Sequence, residues 1–167
     1  MNVNLFELDS TLKKFLSAFI IVLSIGVTVG LIYLNYTTNF STEGAVTRIQ
    51  GSSESEPNDD FDIPEFYPKP VSELLITTHN HIIGFAFIFF FICGIFYFNS
   101  TIKGFWKIFF TIEPFISILI TFGSLWGIRY IGREFSIIAA ISSTILYVSF
   151  YFMAIILLYE LIFKKNM

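Results

Sequence analysis

Cysteine and histidine are scarce in this chain of 167 residues. It contains one cysteine, Cys93, and two histidines, His79 and His81. A single cysteine excludes a disulfide within the chain, and it excludes an iron–sulfur or zinc site built from several cysteines of one chain. We therefore interpret Cys93, which lies within a long apolar segment, as a small packing residue.

Charged residues are also few. They make up 14% of the chain, against about 25% in an average globular domain. The net charge is −3, and the segment 41–73 holds eight acidic residues against Arg48 and Lys69. This balance argues against nucleic acid as a partner.

The local motifs of soluble catalysis are missing. The sequence has no phosphate-binding glycine loop, no cysteine–histidine or serine–histidine pair in a credible loop, and no helical His-Glu-x-x-His zinc motif. We therefore expect no enzyme activity from this chain alone.

Apolar residues are abundant instead: 54% of the chain is hydrophobic, and 22 residues are Phe. Four apolar segments are each long enough to cross a bilayer as a helix, which takes about 20 residues. The prediction is an all-α membrane protein, a single domain over residues 1–167 whose four transmembrane helices form an up-down-up-down bundle. The predicted spans are 15–36, 74–98, 108–128 and 135–163.

The short-loop lysines predict the orientation. If four helices alternate, all six lie on one side of the membrane, which should be the cytoplasmic side. Both termini are then cytoplasmic, the first span is a retained signal anchor, and the bacterial inner membrane is the expected location. The six residues are Lys13, Lys14, Lys103, Lys107, Lys164 and Lys165.

The connection 38–70 is predicted to be an acidic, mostly flexible extracytoplasmic loop. Residues 42–62 are polar and contain too few apolar side chains to bury a core. Residues 61–70 should be extended because three prolines restrict the backbone, and their aromatic side chains could dock on the membrane or on a partner. Calcium binding by Asp59, Asp60 and Asp62 is less favoured than a solvated acidic run.

Both histidines open the second span, after Ser72 as the expected helix cap. Positions i and i+2 are separated by about 200° on a helix, so His79 and His81 should not bind the same metal ion. Three interpretations stay open: hydrogen-bonded structural imidazoles, a b-type haem or metal ion bound by one of them, or a proton-linked role. Arg129, at a similar depth, could neutralise a haem propionate or a lipid phosphate.

The third span carries a polar stripe at helical spacing, formed by Glu113, Ser117, Thr121 and Ser124. We expect this face to look into the bundle, either for helix packing or along a water-lined ion path. Glu113 should bond a neighbouring helix or pair with Lys107.

The remaining intramembrane carboxyl belongs to the fourth span. Glu160 should form a snorkelling pair with Lys164. Two small-residue motifs, Gly26-x-x-x-Gly30 and Gly123-x-x-x-Gly127, should allow close helix packing within the chain or between copies.

Two resemblances arise from these segments. Residues 78–85, Thr-His-Asn-His-Ile-Ile-Gly-Phe, resemble the His-x-His helix of small relatives of haem–copper oxidase subunit I, which implies haem b as a possible cofactor. With its acidic first loop, its Glu-Pro-Phe and its Gly-Ser-Leu-Trp-Gly-Ile-Arg-Tyr segments, the chain resembles a family of uncharacterised bacterial four-pass membrane proteins.

The function these features favour is a non-catalytic subunit or assembly partner of a larger membrane complex. Its partners would be the lipid bilayer and other membrane subunits or further copies of the chain. A haem- or metal-binding redox module using His79 or His81 is the first alternative, and an oligomeric small transporter or channel is the second.

Overall fold

The computed structural model describes residues 4–52 and 67–164. Within these ranges every element of secondary structure is a helix, with one short 3₁₀ helix, four long α-helices and one short α-helix, and the prediction of an all-α fold is confirmed. The four long helices are long and apolar enough to span a membrane. The elements are the 3₁₀ helix Leu5–Glu7, α1 Ser10–Thr38, α2 Thr42–Gln50, α3 Val71–Tyr97, α4 Phe105–Tyr130 and α5 Phe135–Ile162.

The helix ends follow local capping chemistry. Asp9 caps α1 by accepting hydrogen bonds from the backbone N–H groups of Thr11 and Leu12, at 2.9 and 3.0 Å. The first residue of α3 is Val71, and Pro70 occupies its cap position without a side-chain hydrogen bond. The prediction that Ser72 caps this helix is therefore wrong, because Ser72 already lies inside the first turn.

Helix α5 is the centre of the bundle and contacts each of the other four α-helices in the described chain. In its most apolar stretch of 18 residues 44% are buried, against 33% for α4, 22% for α3 and 11% for α1. The core is largely apolar and includes Ile20, Phe89, Ile118, Phe150, Met153 and Leu157. Helix α1 is thus the peripheral member of the bundle.

The segment predicted to be flexible contains a helix. Helix α2 lies across one end of the bundle, and its Val46 and Ile49 pack with Leu74 and Ile128. These two apolar residues are three positions apart and so share one helix face, which the bundle end buries. The prediction of a mobile chain was wrong for residues 42–50. It rested on the lack of apolar residues for a separate core, whereas this helix packs its few apolar residues against the membrane-spanning helices. The predictions about Asp59, Asp60, Asp62 and the aromatic residues at 61 and 66 lie outside the described residues.

Gly44 allows α2 to fold back tightly on the end of α1. A Cβ atom added at this position would overlap the backbone carbonyl of Thr38. The same carbonyl accepts hydrogen bonds from the backbone N–H and the hydroxyl of Ser41, at 2.9 and 2.8 Å. The turn therefore leaves no room for a side chain at position 44.

The bundle has two ends, which differ in how the helices are connected. The α2 end comprises residues 38–50, 67–78 and 124–136, and here α2 covers the long helices. The Glu160 end comprises residues 4–14, 97–107 and 157–164, and here the connection between α3 and α4 meets the last turns of α5.

Candidate functional site

The polar stripe of α4 faces α5 and joins the two helices. Glu113 accepts hydrogen bonds from Ser117, one turn along the same helix, and from Ser149 of α5, at 2.9 Å for the latter. Thr121 and Ser142 share a hydrogen bond of 2.8 Å. Ser117, Thr121 and Ser124 are all buried, so the stripe looks into the bundle as expected. Of the two contacts foreseen for Glu113, the described chain forms the one to a neighbouring helix.

The hydroxyl of Ser124 completes the stripe but does not cross to another helix. It donates to the carbonyl of Ile120, one turn earlier, at 2.7 Å. Such a bond lets a polar side chain lie inside an apolar bundle without an unpaired donor. Each member of the stripe is therefore hydrogen-bonded within the chain.

Cys93 contacts a backbone carbonyl of α4, a partner that could not be predicted from the sequence. Pro114 lies inside α4 and has no N–H, so the carbonyl four residues earlier, that of Phe110, loses its usual helical donor. The thiol of Cys93 points at this carbonyl oxygen, with 3.7 Å between sulfur and oxygen, and its sulfur lies 3.9 Å from that of Met153. The buried thiol thus supplies a weak donor where the proline removes one.

Glu160 is fully buried and holds the connection between α3 and α4. Its carboxylate accepts the backbone N–H of Ser100 at 2.8 Å and that of Thr101 at 2.6 Å, and both hydroxyls of these residues also donate to it. Lys164 lies 3.6 Å from the carboxylate, which gives the ion pair predicted from their spacing. The pair is part of a larger network than a snorkelling interpretation implies.

Other side chains at the Glu160 end bind free carbonyl groups. Lys107 donates to the backbone carbonyls of Tyr97 and Asn99, at 2.8 and 2.7 Å, where α3 ends. Asn99 is itself buried, and its side-chain oxygen accepts the N–H of Ile102 at 2.7 Å. The buried Leu5 connects the N-terminal segment to this end through a hydrogen bond of 3.3 Å to the carbonyl of Phe98.

His81 has a defined tautomer. Its Nδ1 lies 2.7 Å from the carbonyl oxygen of Thr77, and a carbonyl can only accept, so Nδ1 carries the proton. Its ring packs against Phe122 of α4 and Phe85 of α3, at centroid distances of 5.2 and 6.3 Å. In the neutral imidazole the lone pair then belongs to the second ring nitrogen, Nε2, and the side chain is exposed.

His79 is exposed as well and lies on another side of α3. While His81 packs against α4, His79 has no hydrogen bond or ring contact among the described residues. No cluster of three or more metal-ligating side chains occurs in residues 4–52 and 67–164. In the described structure the two histidines therefore do not point toward a common binding site.

Arg129 belongs to an aromatic belt at the α2 end. Its guanidinium carbon lies 5.7 Å from the ring centroid of Tyr130, which in turn stacks on Trp126 at 6.0 Å. Trp126 donates to the hydroxyl of Thr78 on α3 at 2.9 Å. The belt thus packs on the helix that carries the histidines, but no contact joins Arg129 to either imidazole in the described part of the chain.

The four motif glycines have different surroundings. A Cβ added at Gly26, Gly30 or Gly123 would meet no heavy atom within 4 Å. At Gly127 it would overlap the ring of Phe135. Of these four, only Gly127 therefore makes a close approach within the described chain, and the other three leave open surface on α1 and α4.

Several partners in these networks were missed from the sequence. Ser142 and Ser149 of α5 lie seven residues apart and so share one helix face. This polar spacing in the sequence could have predicted that α5 faces the polar stripe of α4. The hydrogen bonds from Ser100 and Thr101 to Glu160 had no comparable signal, because side chains in a connection of irregular backbone do not repeat at a fixed spacing.

Comparisons with known proteins add the family. Neither the curated proteins nor the solved structures give a match to this chain. The model of a family described as a transmembrane helical domain matches residues 39–167, which covers α2 to α5 and well over half of the chain. The chain therefore belongs to this family of transmembrane helical domains.

Proposed function

We propose that this protein is a non-catalytic subunit or assembly partner of a larger membrane complex. It packs against another transmembrane helix through the face of α1 that carries Gly26 and Gly30. The observation that carries the proposal is the open space at these two glycines on the least buried helix of the bundle.

The polar groups inside the bundle support a structural role. Glu113 is bonded to Ser117 and Ser149, and Thr121 to Ser142. These side chains hold helices together, so they are not free groups lining a path for ions. The transporter alternative gains no support from this arrangement.

The exposed face of α1 suits a helix partner. Lipid and Leu side chains are equally apolar, so association of helices in a membrane depends on close backbone approach, for which glycines four residues apart are well suited. Val22 and Val29, which flank the two glycines, are 68% and 59% exposed. The partner would pack on a ridge of small and β-branched side chains.

The same proposal includes an orientation and a location. Lys13, Lys14, Lys103, Lys107 and Lys164 gather at the Glu160 end, which the positive-inside rule assigns to the cytoplasmic side, and the proposed membrane is the bacterial inner membrane. Fusion of a periplasmic reporter enzyme and a cytoplasmic fluorescent reporter to the C-terminus tests this: only the fluorescent fusion should be active.

Photo-crosslinking in intact membranes tests the subunit role. A photoreactive residue at Val29 should give a discrete heavier species, and the same residue at Leu119, an equally exposed position of α4, should not. A double Gly26→Leu and Gly30→Leu variant should weaken the Val29 product. A product at twice the mass of 19.2 kDa would identify a second copy as the partner. Crosslinking to lipid alone, at both positions, would contradict the proposal.

A second candidate is a b-type haem or metal site at His81. It is favoured by the protonated Nδ1, which leaves Nε2 free to bind a metal while the Thr77 carbonyl orients the ring. An absorption spectrum of the purified protein, oxidised and reduced, with metal analysis, tests this candidate. His81→Gln should abolish the signal and His79→Gln should retain it, while a colourless, metal-free sample from a cofactor-replete host would reject it.

A further inference from the structure

A groove opens on the surface of the Glu160 end, where α4 begins. Its volume is about 470 Å³, within the range of about 300–1,000 Å³ that is typical of small-molecule sites. Three consecutive residues of the connection form one side, and aromatic residues of α4 and α5 form the floor. The lining residues are Thr101, Ile102, Lys103, Trp106, Phe110 and Phe152.

The floor is a stack of aromatic rings. Phe110 of α4 and Phe152 of α5 stack with an interplanar angle of 22° and 4.3 Å between their centroids, and Trp106 stacks on Phe110 at 6.1 Å. Such a floor offers flat apolar surface and no hydrogen-bond acceptor. It fits a hydrocarbon chain.

The wall is held in place by the buried carboxylate. Thr101 donates its backbone N–H to Glu160 at 2.6 Å, and its hydroxyl donates to the same carboxylate. The connection therefore does not need to become ordered when a ligand binds, and the entropic cost of binding falls accordingly.

The rim is cationic. Lys103 is exposed and has no carboxylate within ion-pair distance among the described residues, and it lies two residues before α4 begins. The positive end of the α4 dipole adds to this charge. Nearby Lys107 donates to backbone carbonyls and lies over the Tyr97 ring, and it forms no ion pair with a carboxylate among the described residues either.

We propose that this groove binds an anionic phospholipid, with the phosphate at Lys103 and an acyl chain along Trp106, Phe110 and Phe152. The rim attracts the phosphate, the floor accepts hydrocarbon, and a tryptophan at the boundary between them is a favoured position at the membrane interface. A phospholipid supplies both the negative charge for Lys103 and the hydrocarbon for the floor.

The chain provides its own reporter for the test. Its two tryptophans, Trp106 and Trp126, lie at opposite ends of the bundle. The Trp126→Phe variant keeps only the groove tryptophan, and the Trp106→Phe variant keeps only the distant one. Each is reconstituted in phosphatidylcholine vesicles that contain a small, equal fraction of brominated phosphatidylglycerol or brominated phosphatidylcholine, and quenching of tryptophan fluorescence is measured.

We expect brominated phosphatidylglycerol to quench Trp106 several times more effectively than brominated phosphatidylcholine. One lysine near an anionic surface contributes about a fivefold preference, so Lys103→Gln should remove most of it. Lys14→Gln, the same charge change at an exposed position of α1, should preserve it. Trp126 should show no dependence on Lys103.

Three results would overturn the proposal. Equal quenching by the two lipids would show that the groove does not select an anionic headgroup. An unchanged preference in Lys103→Gln would place the selectivity elsewhere. An equal loss in Lys14→Gln would mean that general surface charge, and not the groove, attracts the lipid. Far-ultraviolet circular dichroism of each variant verifies that the helices are intact.

Discussion

The two ends of the bundle are closed by opposite kinds of interaction. At the Glu160 end one fully buried carboxylate accepts hydrogen bonds from two adjacent residues of the connection and pairs with Lys164. At the α2 end a short helix covers the bundle through dispersed apolar contacts, of which Val46 and Ile49 are the most buried.

The difference shows what each kind of closure requires. A carboxylate can satisfy several donors at once, so one residue contributes a large share of the bonds that hold a short connection without a hydrophobic core of its own. Apolar contacts are individually weaker and spread over many atoms, so a helix of nine residues is needed to close the other end. The first closure depends most on a single side chain, and the second should tolerate single changes better.

Removal of Glu160 should have the largest effect. Glu160→Ala leaves the donors of Ser100 and Thr101 without their acceptor and Lys164 without its carboxylate, which should lower the free energy of unfolding by about 3 kcal/mol. Glu160→Gln should cost less because one carbonyl acceptor remains. Unfolding by SDS titration in mixed micelles, followed by circular dichroism, measures both. Glu73→Ala, at an exposed carboxylate of α3, is the control, and an equal effect of the two alanine variants would contradict the comparison.

Single truncation of the apolar closure should cost less. Ile49→Ala removes a side chain that is 4% exposed and should lower the free energy of unfolding by about 2 kcal/mol, at the low end for buried isoleucines because the helix lies at the bundle surface. The same SDS titration measures it, with the exposed Thr42→Ala as control. In the double variant with Val46→Ala, the loss in the free energy of unfolding should approach that of Glu160→Ala. A single truncation as severe as Glu160→Ala would remove the distinction between the two ends.

Gly127 tests close packing at the α2 end. Gly127→Ala forces a methyl group into the ring of Phe135 and should cost about 1–2 kcal/mol, whereas Gly123→Ala has open space and should be neutral or stabilising. Thermal unfolding of both variants gives the comparison. Adding Phe135→Ala should make the change at Gly127 harmless, and persistence of its cost in that double variant would show that the ring is not the cause.

Much of the fold could be predicted because long apolar segments have few alternatives in a membrane. The burial of the Ser117 and Thr121 face followed from its period. The hydrogen bonds of Glu160 could not be predicted, because they depend on where the connection at Ser100 folds back. Helix α2 was missed because its two buried residues are too few to give a periodic signal. The pairing of Cys93 with the carbonyl freed by Pro114 joins two helices, and no spacing within one segment encodes it.

The exposed ion pair of the α2 end should have the smallest effect. Arg133 and Glu43 connect the turn between α4 and α5 to α2, but their side chains are 64% and 67% exposed. Water and salt screen such a pair, so Arg133→Gln should change the free energy of unfolding by less than about 0.5 kcal/mol, and less still at high salt. SDS titration at low and high ionic strength measures this. A larger, salt-independent loss would mean that the α2 end, like the Glu160 end, depends on a charged side chain, and the contrast between dispersed and single-residue closure would fail at this position.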